Sequence, residues 1–137
     1  MKKLFLDTNV ILDLLAQRDP FYESIAKIAT LADHKNLKLT TTPISFTTVN
    51  YILSKFESSE TVMTKMRKFA IICPVCEVNQ EISDKGLNSK FSDFEDSVQY
   101  FSAVNANCNT IITRNGKDFK NSEISIMTAE EFLKSLS

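Results

Sequence analysis

Tryptophan is absent from the 137 residues, glycine occurs twice, proline three times and histidine once. So little glycine and proline excludes a disordered linker, and the chain is expected to be compact throughout. One histidine and three cysteines leave little for a zinc centre. Cys73-Pro74-Val75-Cys76 has the C-x-x-C form, but Cys108 and His34 do not supply a second ligand pair at the usual spacing. A redox motif of that form opens a helix after the first strand of a thioredoxin-like unit, which this one does not. Cys73 reads instead as a small buried apolar residue ending a strand, with Cys76 in the following loop.

Charge of one sign is also missing. The formal net charge is −1, which excludes a basic chain that holds nucleic acid by bulk electrostatics, so any such contact must be local. Local patches are Lys65, Arg67 and Lys68 on one helix, Lys85 and Lys90 on another, and Arg114, Lys117 and Lys120 together near the end. Long apolar runs are absent too. Leu4-Phe5-Leu6 follows a basic pair but is cut short by Asp7, so the start is neither a signal peptide nor a membrane span, and a cytoplasmic protein is expected.

What is present is an ordinary globular composition, 43% hydrophobic and 24% charged. The length suits one domain over residues 1–137, burying roughly two thirds of its unfolded surface. Residues 3–6 read as a buried strand and 9–17 as a helix with Val10, Ile11, Leu14 and Leu15 on one stripe. Pro20 opens a second helix on Phe21, Ile25, Ile28, Ala29 and Ala32. Residues 37–41 read as a strand, and Thr42-Pro43 as a helix cap with Pro at the first helical position. That helix runs to about Phe56, and another runs from Ser59 on Val62, Met63, Met66 and Phe69. Ala70 to Cys73 then reads as a third strand. A poorly patterned helix over 79–89 contains Gly86. Ser92-Asp93-Phe94-Glu95 reads as a capping box opening a helix to about Ala106, and Thr128-Ala129-Glu130-Glu131 as another opening the last helix. Strands near 110–113 and 124–127 complete the set. Alternating strands and helices imply an α/β fold with a parallel sheet covered on both faces.

Two strand ends carry polar clusters: Asp7-Thr8-Asn9 after the first strand, and Thr113-Arg114-Asn115 after the run at 110–112, with Asp118 close behind. Ligands of open α/β sheets bind in the crevice beyond the carboxyl ends of the strands, so the clusters can converge on one site. Asp96, one turn into the helix before the strand at 110–113, can join them on a face shared with Tyr100 and Ala103. Asp93 and Glu95 lie in that helix's first turn, where acids favour the dipole. Clustered carboxylates repel, and a hard divalent cation is their ordinary resolution. Mg²⁺ or Mn²⁺ on Asp7, Asp96, Asn115 and Asp118 is therefore expected.

Three blocks together, Leu6 to Asp13, Asp93 to Tyr100 and Ile112 to Phe119, resemble the PIN domain in order and spacing over nearly the whole chain. The resemblance implies a three-layer α/β/α sandwich around a parallel sheet of about five strands. It also implies a Mg²⁺- or Mn²⁺-dependent endoribonuclease directed at single-stranded RNA, most often the toxin of a VapC-type toxin–antitoxin pair with a small antitoxin partner. Asp7, Asp96 and Asp118 are then the catalytic acids, with Thr8, Asn9, Thr48, Asp93 and Thr113 in support. Arg114, Lys117, Lys65, Arg67 and Lys68 are the candidate RNA contacts. The chain departs from the family at two places: Thr48 stands where a helical Glu is usual, and Asn115 where Asp is frequent. Neutral oxygens in place of carboxylates lower metal affinity. A PIN module that binds RNA or protein without cutting is therefore an alternative. A phosphatase with Asp7 as nucleophile is another, although Asn9 stands where that pattern expects a second Asp. The apolar helices of 43–70 suggest a two-fold dimer.

Overall fold

A computed structural model describes all 137 residues, Met1–Ser137. Four strands, β1 (Lys3–Leu6), β2 (Lys38–Thr40), β3 (Thr110–Ile112) and β4 (Ser125–Met127), form one sheet in the order β2-β1-β3-β4. Every pairing is parallel, so each connection is a crossover: six of the seven helices lie in the first two, the 3₁₀ turn Gly116–Phe119 lies in the third, and the seventh helix follows β4. The helices are α1 (Thr8–Leu15), α2 (Tyr22–Asp33), α3 (Pro43–Leu53), α4 (Ser59–Ile72), α5 (Gln80–Leu87), α6 (Phe94–Asn105) and α7 (Ala129–Ser135).

Strand alternation sends side chains to opposite faces and thereby builds two cores. Leu4, Leu6 and Ile112 join one apolar cluster with Val10, Ile25, Val49, Val62, Phe69 and Phe132, so α1 to α4 and α7 cover that face. Phe5 and Ile111 join the other with Tyr100, Ala103, Cys108 and Phe119, which places α6 there. The expected α/β/α sandwich is observed, with four strands rather than about five.

The strand expected over 70–73 is helix. α4 continues to Ile72 and Cys73 caps it, its amide donating to the Phe69 carbonyl. The run Ala70-Ile71-Ile72 looks strand-like because of its β-branched residues, but Val62 and Phe69 hold the helical stripe in the core while Ile71 is 81% exposed. Only a single bridge, Thr41 to Val75, extends the sheet beyond β2. The start of α6 also differs from the expected box: its cap is Asp93, not Ser92, with the Asp93 carboxylate accepting from the Asp96 amide at 3.0 Å. The Thr128 capping box is present in both directions. Cys73, Cys76 and Cys108 are all free thiols, and burial pushes the Cys108 thiol up to about 12. No helix is long and apolar enough to cross a membrane.

Candidate active site

Register brings the two polar clusters together. Leu6 pairs with Ile112 at the end of the β1–β3 ladder, and the Asp7 amide donates to the Ile112 carbonyl at 3.0 Å. Asp7 and Thr113 therefore leave adjacent strands side by side at the carboxyl edge of the sheet. Asp7 is 8% exposed. It caps α1 by accepting from the Thr8 amide through Oδ1 at 2.9 Å. Its Oδ2 accepts from the Thr113 hydroxyl at 2.8 Å and, more loosely, from Asn9 Nδ2 at 3.5 Å. The capping role and a site role are thus divided between two oxygens of one carboxylate.

Asn9 ties the two clusters into one body. Its Nδ2 also donates to the Thr113 hydroxyl at 3.3 Å, and its Oδ1 accepts from the Arg114 amide at 3.3 Å. Behind it lies Asp13, 1% exposed, which the sequence reading did not single out. Asp13 accepts from Arg114 Nε and Nη2 at 2.7 and 3.1 Å and from Arg18 Nε at 3.0 Å. Arg114 is further stacked on Phe21, 4.0 Å from the ring centroid. Its guanidinium is committed to clamping the end of β3 against α1. Lys65 is likewise committed, to Glu57 at 2.7 Å and to the Leu15 carbonyl at 3.1 Å. Arg67 and Lys68 are exposed on α4.

Beneath the first turn of α3 lies a second buried network that sequence reasoning missed. Gln99 is 1% exposed, accepts from the Thr42 hydroxyl at 2.6 Å and donates to Ser45 Oγ at 2.7 Å. Ser45 Oγ is 2.8 Å from the hydroxyl of Thr8. A Gln99 hydrogen bond also helps offset the burial of Asp7. Where the family usually has a Glu, this chain has buried neutral groups that satisfy one another, and half-buried Thr48 enters none of these bonds. Gln99 shares a helical face with Asp96, and that spacing was the available signal.

Electrostatics gather the acids. Burial raises the Asp7 carboxyl above its usual value, hydrogen bonds from Thr113, Thr8 and Gln99 oppose the rise, and the charge of Asp118 adds to it. Asp96 is pushed up to about 7, first by burial and then by Asp93, Asp118, Asp7 and Glu95. Glu95 is exposed as a residue, yet partial burial of its carboxyl and the charges of Asp93 and Asp7 raise it as well. Asp7, Asp96 and Asp118 therefore occupy one neighbourhood of mutual repulsion. The oxygen donors suit a hard divalent cation, the counter-charge such a cluster lacks. No three acidic, histidine or cysteine side chains are gathered tightly enough to hold an ion. A shared ion thus requires half-exposed Asp96 and Asp118 to turn toward Asp7. Asn115 is exposed, its amide donating to the Thr113 hydroxyl at 3.0 Å.

The chain matches the family model described as PIN domain over residues 3–117. It is similar to Ribonuclease VapC1 of Aquifex aeolicus, 32% identical over 137 residues, covering 96% of this chain and 93% of the relative. Its fold is similar to VapBC2 from Rickettsia felis bound to a DNA fragment from their promoter, with a TM-score of 0.69 at 19% identity over 91% of this chain and 96% of that one. It is also similar to VapC20 of Mycobacterium tuberculosis, a sarcin-ricin loop cleaving toxin, with a TM-score of 0.65 at 11% identity over 84% and 92%. A match spanning the first strand, the acid-bearing helix α6 and the polar end of β3, joined to a relative aligned over almost its whole length, settles the kinship: this chain belongs to the PIN domain family.

Proposed function

We propose that the chain is an endoribonuclease acting on single-stranded RNA, the toxin of a toxin–antitoxin pair. What supports this reading is the joining of the two strand-end clusters at the carboxyl edge of the sheet, where Thr113 and Asn9 hold Asp7, together with the charges of Asp7 and Asp118 that bear on Asp96. The named relative, a ribonuclease, supports it. Asp7, Asp96 and Asp118, with Asn115, would hold Mg²⁺ or Mn²⁺. Such an ion, when bound, offsets charge on a phosphate under attack and makes water a better nucleophile.

The protein's part is positioning. Thr113 and Asn9 fix Asp7 so that it cannot swing away, while the Asp13–Arg114 clamp holds the segment that carries Thr113 and leads to Asp118. The chain's partner is a small antitoxin, as the VapBC complexes among its structural neighbours suggest.

Cleavage of an end-labelled single-stranded RNA in Mg²⁺ and in Mn²⁺ tests the reading, with Asp7→Asn as the blank. Loss of cutting in the variant supports it, and equal cutting by both proteins defeats it. The second reading, a PIN module that binds without cutting, draws on the neutral Ser45–Gln99 network and on Thr48. Retained RNA binding with no cleavage in either metal would favour it.

A further inference from the structure

The lysines of this chain find acidic partners unevenly. On the helices, Lys27, Lys85 and Lys134 each meet a glutamate one turn away at 3.3, 3.1 and 3.2 Å, and Lys65 meets Glu57 at 2.7 Å. Lys90, Lys117 and Lys120 form no ion pair, and they converge on one cleft of about 350 Å³ from the turn before α6 and from the 3₁₀ turn Gly116–Phe119 and its end. Its lining is polar apart from Phe91, with Ser92 and Asn121 supplying hydrogen-bonding groups.

Asp118 is part of the same wall, and its charge is felt at both Asp7 and Asp96. The cleft therefore borders the acids through Asp118. In a chain of net charge −1, three ammonium groups without an ion pair share this concavity with one carboxylate, leaving an excess of positive charge that an entering anion offsets. A lone small anion would occupy the cleft and have no reason to extend toward the carboxylates. A strand of linked phosphates does, since one phosphate can rest among the lysines while its neighbour lies over the acids. The scarcity of apolar anchors speaks against a docked peptide, whose affinity would rest on buried aromatic or aliphatic side chains.

We propose that this cleft seats a backbone phosphate of single-stranded RNA next to the one placed over the acids, so that Lys90, Lys117 and Lys120 set the register of the strand. The inference rests on the ribonuclease reading and names where its substrate is held.

The test is fluorescence anisotropy of a labelled single-stranded RNA, titrated at several KCl concentrations with full-length protein carrying Asp7→Asn to silence cleavage. Three backgrounds are compared: no further change, Lys90→Gln with Lys117→Gln and Lys120→Gln, and Lys27→Gln with Lys85→Gln and Lys134→Gln as a charge-matched control. Each phosphate neutralised contributes about 0.7 to the slope of log affinity against log salt for single strands, so removal of the three lysines that hold one phosphate should flatten the slope by about 0.7 and weaken low-salt binding at least about tenfold. The control should stay near the parent in both. Equal slopes and affinities for the cleft and control variants overturn the proposal, as does displacement of the RNA by polyglutamate at equal charge concentration. Cleavage by the wild-type chain in Mn²⁺ separates the two readings. Cutting that survives with no cleft effect on binding overturns the cleft alone, and cleft-dependent binding without cutting overturns the ribonuclease reading while leaving the cleft in place.

Discussion

Asp13 shows how much a single buried side chain can hold. It receives both arginines while 1% exposed, and the arginine side chains are themselves 41% and 30% exposed. Asp13→Ala leaves two cations facing a vacated pocket, and because both retain access to water the cost should fall at the lower end of the range for a broken buried pair, about 3 kcal/mol. Urea unfolding followed by circular dichroism measures this, and an unchanged midpoint would mean that the clamp is ornamental. Asp96 gives a pH signature. Its folded value of about 7 lies above the ordinary 3.8, so between those values the folded chain keeps a proton that the unfolded chain releases. Stability then falls as pH rises through that window and stays lowered above it. In metal-free buffer, Asp96→Asn should raise Tm by about 2 °C at pH 8 and leave it unchanged at pH 3, where both states are largely protonated. A gain of equal size at both pH values would point to helix packing instead. The strand-end residues Asp7, Asn9 and Thr113 were legible in the sequence because polar groups abruptly ending an apolar run have few other uses. Asp13 was not, although a carboxylate within the stripe from Val10 to Leu15 was a visible anomaly. Its arginine partner Arg114 arrives from the far end of the chain, and that pairing exists only in the fold.

Among the elements, α4 explains why one expected strand is missing. The triplet Ala70-Ile71-Ile72 has strand-like composition, but the helix that began at Ser59 already buries Val62 and Phe69, and it continues to Ile72 with the Cys73 amide closing its last turn on the Phe69 carbonyl. Local propensity yields to a stripe that tertiary packing has fixed. The pair α5–α6 was hard to read for the opposite reason, because a glycine in a helix looks like an interruption. Here Gly86 is a point of close approach: a methyl group added there would lie 2.6 Å from Ser97 Oγ and 3.2 Å from the Phe94 ring. Ser97 Oγ is held in turn by the Phe94 carbonyl at 2.6 Å, so the neighbour cannot easily retreat. Gly86→Ala should therefore destabilise by about 1–3 kcal/mol despite alanine's higher helix propensity, by thermal or urea unfolding. α3 offers a gain of function. Thr48→Glu restores a carboxylate where the family usually has one and should raise Mn²⁺-dependent RNA cleavage by about tenfold over the wild-type chain. No change in rate would mean that the Ser45–Gln99 network has replaced that acid rather than merely displaced it.

For the molecule as a whole, the helices of 43–70 contribute to the core more than their sequence suggests. Val49, Leu53, Val62 and Phe69 are buried, and Phe46 and Met66 pack against the same cluster. What remains exposed is narrower: Tyr51 at 65%, Phe56 at 81% and Met63 at 42%. A two-fold dimer joined there would give light-scattering mass near twice 15.5 kDa and would survive high salt, as an apolar interface does. A mass near 15.5 kDa at micromolar concentration would defeat the dimer. The sheet order has a further consequence, for the timing of synthesis. β1 lies between β2 and β3, and the bond from Thr113 to Asp7 spans 106 positions of sequence. A chain emerging from the ribosome presents Asp7 first, followed by α1 to α6, but lacks the strand that completes the edge beside it. Nascent chains and products that stop short of Thr113 therefore lack the completed edge, and the two polar clusters can meet only after most of the polypeptide has emerged.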